Sequence, residues 1–132
     1  MTSAPMPIKI LILDDEQDFC SIFKFQFEKE NFQVLIAAKI TDAMKFILDD
    51  NPACVISDIR LAEGEDGLTF LRKLRSYRDD DLEVQNRVRK IPVIILTAIG
   101  FQMQSLFISE GVTDYIEKPY DVKVLKEKIL HS

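Results

Sequence analysis

Five short apolar runs alternate with segments of helical periodicity along this chain, and each run ends at a polar residue. That alternation limits the possible folds more than any other feature. Ile8 to Leu13 reads as a strand ending at Asp14. From Glu16 to Glu30, Phe19, Cys20, Phe23 and Phe27 recur at helical spacing, and Asn31, which tolerates left-handed backbone, ends that helix. Phe32 to Ala37 is the second strand, and Thr41 is the expected cap of a helix carrying Ala43, Phe46 and Ile47 on one face. Ala53 to Ser57 runs into Asp58, Gly64 and Gly67 mark a loop, and Leu68, Leu71 and Leu74 line a third helix. Ile91 to Leu96 is almost wholly apolar, as expected of a strand covered on both faces. A helix from about Phe101 to Glu110 stops at Gly111, Asp114 to Glu117 is a fifth strand, and Asp121 caps a terminal helix through Val122, Leu125, Ile129 and Leu130. Five strand-helix units predict an α/β protein with a five-stranded parallel sheet and helices on both faces, because parallel strands need right-handed crossover connections. Ligands in such sheets sit at the carboxyl ends of the strands.

Composition narrows the chemistry. A chain of 132 residues, 47% apolar, suits one domain, expected over residues 8–130 with 1–7 as a short extension; no output domain is visible after the last helix, which suits either a stand-alone regulator or a receiver cut from a larger protein. No apolar run is long enough to span a membrane, and Met1 to Pro7 lacks the build of a signal peptide, so a cytoplasmic protein is expected. Cys20 and Cys54 lie apart within apolar stretches and read as small buried hydrophobes. The only histidine, His131, stands at the C-terminal edge, which argues against a Cys/His or Ser/His nucleophile pair and against a zinc site. A net charge of −5 disfavours direct contact with nucleic acid and leaves proteins as the expected partners.

The unusual polar residues all fall at strand ends: Asp14 and Asp15 after the first, Asp58 after the third, Thr97 at the fourth, Lys118 and Pro119 after the fifth. If the first and third strands are neighbours, three carboxylates converge, each pair repelling by about 4 kcal/mol at about 4 Å and an effective dielectric of about 20. Mg2+, which needs few protein ligands and keeps several waters, would offset that repulsion, with Lys118 as a second positive charge. A carboxylate nucleophile, a hard cation, an ammonium and a hydroxyl are what phosphoryl transfer requires, and Asp58 needs no general base because it is already ionised.

Leu13-Asp14-Asp15-Glu16, Ile56-Ser57-Asp58-Ile59, Ile95-Leu96-Thr97-Ala98 and Asp114-Tyr115 through Lys118-Pro119-Tyr120 together resemble the receiver domain of two-component response regulators, over about Ile8 to Leu130. The resemblance implies a CheY-like, flavodoxin-like three-layer (βα)5 fold. It implies Asp58 as phosphoacceptor, Asp15 and Asp58 as direct Mg2+ ligands, Asp14 reaching the ion mainly through water, and the Arg60 carbonyl as the remaining protein ligand. Thr97 and Tyr115 match the switch pair, in which the hydroxyl turns to the phosphoryl oxygen and the ring moves inward. Lys118 matches the residue that pairs with the phosphoryl group, and its bond to Pro119 is expected to be cis. The implied function is a phosphorylation-activated switch rather than an enzyme acting on other substrates. A histidine kinase or histidine phosphotransfer protein supplies the phosphoryl group, and the fourth helix, fifth strand and fifth helix form the output surface, with a homodimer possible there.

The chain also departs from the family pattern. Ser57 to Gly67 is one residue longer than usual, Ala62 stands where Pro is common, and the loop after Thr97 is one residue shorter. Leu74 to Pro92 is several residues longer, with Asp79, Asp80, Asp81 and Glu83 before Arg87, Arg89 and Lys90, and reads either as a longer third helix or solvated loop, or as a partner-specific contact. On a helical wheel Met103, Leu106 and Phe107 face one way and Phe101 and Ile108 the other, leaving an apolar patch unless the phase differs. Arg60 and Ile99, two residues after Asp58 and Thr97, suggest shielding from water and slow self-dephosphorylation. A haloacid-dehalogenase-like phosphatase would place its nucleophile at Asp14 with a second Asp two residues on, where this chain has Glu16. An unphosphorylated receiver-like binding module would usually lack one of Asp14, Asp15, Asp58 or Lys118, and here all are present.

Overall fold

The computed structural model describes residues 5–132, and its strands fall where the apolar runs stand. They are β1 (Ile8–Leu13), β2 (Phe32–Ala37), β3 (Cys54–Ser57), β4 (Val93–Thr97) and β5 (Asp114–Glu117). All pair in parallel in the order β2-β1-β3-β4-β5, so the order reverses beside β1 and opens a crevice at the carboxyl ends of β1 and β3. Among the described residues, six α-helices connect or follow them: α1 (Gln17–Glu28), α2 (Ile40–Asp50), α3 (Gly67–Arg75), α4 (Leu82–Arg89), α5 (Gln104–Ser109) and α6 (Val122–Leu130). Successive side chains of a strand point to opposite faces, and β1 shows the result. Ile10 and Ile12 join the core beneath α1 and α6, with Phe23, Phe27, Leu125 and Ile129. Leu11 and Leu13 join the other core, with Ile47, Leu71, Leu74 and Phe107. The molecule is thus a three-layer doubly wound sandwich.

Local signals account for most element ends. Asn31 has φ 66° and Gly111 φ 88°, so both expected left-handed terminators act as such. Asp121 accepts from the backbone N–H groups of Lys123 and Val124, as a cap should. Cys20 and Cys54 are buried free thiols, and burial pushes them up to about 11 and about 12.

Four expectations need correction. Thr41 does not cap α2; the helix begins at Ile40, whose N–H is accepted at 3.1 Å by Glu65 of the β3-α3 loop, so the cap comes from another part of the chain. The long segment after Leu74 is neither an extended third helix nor a solvated loop: α3 stops at Arg75 and α4 is a separate helix capped by Asp81. Two arginines anchor this insertion. Arg87 donates to the carbonyls of Ile47 and Leu48 at the end of α2, while Arg75 donates to the carbonyls of Arg89, Ile91 and Gly111. The helix after β4 opens with a 3-10 turn at Phe101–Met103, and Leu106 is 37% exposed, so Phe107 and the half-buried Met103 carry the core face without it. Finally, because α4 is inserted, the expected output surface of fourth helix, fifth strand and fifth helix corresponds to α5, β5 and α6.

Candidate functional site

The crevice is a cleft of about 450 Å3 lined by Asp15, Asp58, Arg60, Thr97, Ile99 and Lys118 among others. Asp14, one residue beyond β1, is buried; its Oδ1 accepts from the Glu16 N–H at 2.9 Å and its Oδ2 from Lys118 Nζ at 3.1 Å. Asp15 is exposed and lines the cleft. Asp58 is partly buried, with Oδ1 accepting from the Ile59 N–H at 2.7 Å and Oδ2 from Lys118 Nζ at 3.1 Å. Lys118 therefore stands between Asp14 and Asp58, on a loop whose Lys118-Pro119 bond is cis.

Electrostatics follows from that placement. Burial pushes the Asp14 carboxyl above its ordinary value despite the Glu16 N–H and the Lys118 charge. Burial alone would lower Lys118, but two carboxylates outweigh it and its ammonium is held above the ordinary lysine range. A carboxyl raised on folding favours the native state fully below its unfolded value of 3.8, and that contribution is lost as pH rises through the native value. Asp14→Asn, which mimics the neutral form, is therefore expected to stabilise the metal-free protein at neutral pH, with the gain shrinking toward zero below about pH 3.8. Urea melts of both proteins in chelator at several pH values check this; a gain that grows as pH falls would contradict it.

Thr97 is fully buried, and its Oγ1 accepts from the Ile99 N–H at 3.2 Å rather than meeting Asp58. Tyr115 already lies inward, buried against Phe107 and Phe101 at centroid distances of 5.8 and 6.1 Å, and its hydroxyl donates to the Gly100 carbonyl. The loop after Asp58 forms a 3-10 turn at Ala62–Gly64, with Glu63 left-handed at φ 59°. That loop is tied at both ends: Arg60 bridges Asp66, Glu65 caps α2, and Glu63 pairs with Lys39 at 3.1 Å.

Two contributors escape the sequence reading. Gly67, read only as a loop marker, runs against the acceptor: a Cβ there would lie 2.4 Å from the Asp58 carbonyl oxygen. Phe19, read as a core residue of α1, places its ring 4.0 Å from Lys118 Nζ. Neither contact carries a local signal.

Among the described residues, no three Asp, Glu, His or Cys side chains are gathered closely enough to form a metal cluster. Mg2+ does not demand one, since it binds through one or two carboxylates and keeps several waters. Asp15 and Asp58 border the same cleft and offer oxygen donors of the right kind, so the site fits such an ion.

The class is set by a doubly wound α/β domain with acidic residues at two strand ends, a facing Lys and a buried Thr at one edge of its sheet. The family model described as response regulator receiver domain matches residues 10–130, and the chain belongs to that family. It is a two-component signalling domain. Solved structures agree on the fold. A response regulator from Chloroflexus aurantiacus J-10-fl is 25% identical, with TM-score 0.79 over 96% of this chain and 99% of that one. The chemotaxis response regulator CheY4 of Vibrio cholerae is 18% identical, with TM-score 0.78 over 96% and 98%. The receiver domain of a sensor histidine kinase from Pseudomonas aeruginosa PAO1 is 21% identical, with TM-score 0.78 over 95% and 96%, and that protein holds a magnesium ion coordinated in its active-site cleft.

Proposed function

We propose that this domain is a switch turned on by phosphorylation of Asp58. A carboxylate oxygen of Asp58 attacks the phosphorus of a phosphohistidine on a kinase or phosphotransfer protein. The O–P bond forms as the N–P bond breaks, and the departing imidazole nitrogen keeps the electron pair and takes up a proton from water. The observation that carries the reading is Lys118 Nζ, 3.1 Å from Asp58 Oδ2 at the cleft, where it meets negative charge on the incoming group. Asp15, Asp58 and the Arg60 carbonyl are the residues that would hold Mg2+, with Asp14 acting through water; the ion would neutralise charge on the transferred group. Thr97 would exchange its bond to Ile99 for one to a phosphoryl oxygen, closing the loop after β4 and carrying α5 with it.

Phe101, Ile108 and Val124 stand 57%, 60% and 52% exposed on α5, its leading turn and α6. These exposed apolar side chains support α5, β5 and α6 as the surface that meets a target or a second copy. No described helix is long and apolar enough to cross a membrane, which accords with a cytoplasmic role. The domain acts on no substrate but its own phosphoryl group. Arg60 and Ile99 line the same cleft as Asp58, which supports a long-lived phosphorylated state.

Incubating purified protein with acetyl phosphate and Mg2+ and recording intact mass tests the reading. A phosphoryl adduct is expected on the wild type and none on Asp58→Asn. An adduct of equal yield on both proteins would refute it. In the same spectra, the adduct should decay slowly once the donor is removed; rapid loss would count against the shielding by Arg60 and Ile99.

A further inference from the structure

Lys118 has three polar or aromatic neighbours, and the acceptor reading uses only two of them. Its ammonium has three protons to donate, and Asp14 Oδ2 and Asp58 Oδ2 accept at 3.1 Å each. The remaining side of the charge faces Phe19, with the ring centroid 4.0 Å from Nζ, well inside the ~6 Å over which a ring quadrupole attracts a cation. Phe19 is not free to swing. It meets Tyr120 edge-on at 6.0 Å and Phe23 at 6.3 Å, and the Tyr120 hydroxyl donates to Gln26 of the same helix. Half-buried in the first turn of α1, Phe19 lines both the acceptor cleft and the apolar hollow behind Pro119.

We propose that Phe19 is a positioning residue for phosphoryl transfer: the face of its ring holds the Lys118 ammonium beside Asp58. Resting on Asp58 as acceptor, the inference gives a physical reason for an aromatic ring at this place. During transfer Lys118 must exchange a carboxylate partner for a phosphoryl oxygen. A third carboxylate would compete with the incoming group for the lysine charge. An alkyl side chain would leave the ammonium free to swing toward the cleft mouth. A ring attracts the cation without net charge, so the lysine stays in place and its charge remains available.

The test compares Phe19→Leu, Phe19→Met and Phe19→Tyr, each in the wild-type and the Lys118→Met background. The rate of labelling by acetyl phosphate is read by intact mass, and Mg2+ affinity by titration. Phe19→Leu and Phe19→Met are expected to slow labelling by about tenfold, within the range a lost cation–π contact allows, while Phe19→Tyr, which keeps the ring, restores the rate. Mg2+ affinity should not move, and in the Lys118→Met background Phe19→Leu should change the residual rate by less than about twofold. Labelling of Phe19→Leu at the wild-type rate, or an equal loss without Lys118, would overturn the proposal. Were the wild type not labelled on Asp58 at all, the acceptor reading itself would fall, and this inference with it.

Discussion

Gly67→Ala is expected to cost about 1–3 kcal/mol of stability, the usual range for forcing an atom into filled space. It should also slow labelling of Asp58. Gly67 is the first residue of α3 after its cap Asp66, so alanine would suit its backbone. Space decides instead: the added Cβ would lie 2.4 Å from the Asp58 carbonyl oxygen and 3.3 Å from the Ile59 Cα, and both are backbone atoms. Relief requires α3 to retreat or the acceptor backbone to shift, and either disturbs the 2.6 Å hydrogen bond from the Gly67 N–H to the Ile59 carbonyl. Gly64 is the control: it has φ 76° and open space where its Cβ would be, so Gly64→Asn should fold nearly as well and be labelled normally. A melting temperature lowered by several degrees for Gly67→Ala only, with slower labelling, is the expected pattern. Equal stability and equal rates would show that the close approach does not matter.

Lys118→Met should slow phosphoryl transfer by about a hundredfold or more, the effect typical of losing one preorganised charge-stabilising donor. The substitution keeps most of the side-chain length but removes the cation between Asp14 and Asp58. It also removes an influence that lowers the Asp14 carboxyl, so that group should rise further above its ordinary value. Progress curves of the acetyl phosphate adduct measure the rate. A loss of less than about threefold would place the lysine outside the transfer step.

Much of this was legible in the sequence, for identifiable reasons. The bounds of β1, β2 and β5 match the segments read from the sequence residue for residue. Asp15, Asp58, Thr97 and Lys118 line one cleft, and Asp14 meets Lys118, because a parallel sheet brings every strand's carboxyl end to one edge; the three carboxylates do not gather as closely as the sequence suggested. The insertion was harder to read. Asp79 to Asp81 resembles a solvated acidic run, yet Asp81 followed by Val84 and Val88 carries the cap and spacing of a short helix. What fixes α4 in place, Arg87 on α2 and Arg75 on three separate carbonyls, is non-local and has no sequence signature. The same holds for Glu65 on Ile40, Gly67 on Asp58 and Phe19 on Lys118, where each meaning depends on a partner distant in the chain.

Reductive trapping identifies directly which side chain receives the phosphoryl group. Borohydride reduces an acyl phosphate on aspartate to homoserine and leaves phosphate esters of Ser, Thr and Tyr intact. Peptide mapping after treatment with acetyl phosphate, Mg2+ and borohydride should find homoserine at position 58 and nowhere else. Homoserine at position 14, as a phosphatase with its nucleophile after β1 would give, or no homoserine at all, would contradict the account.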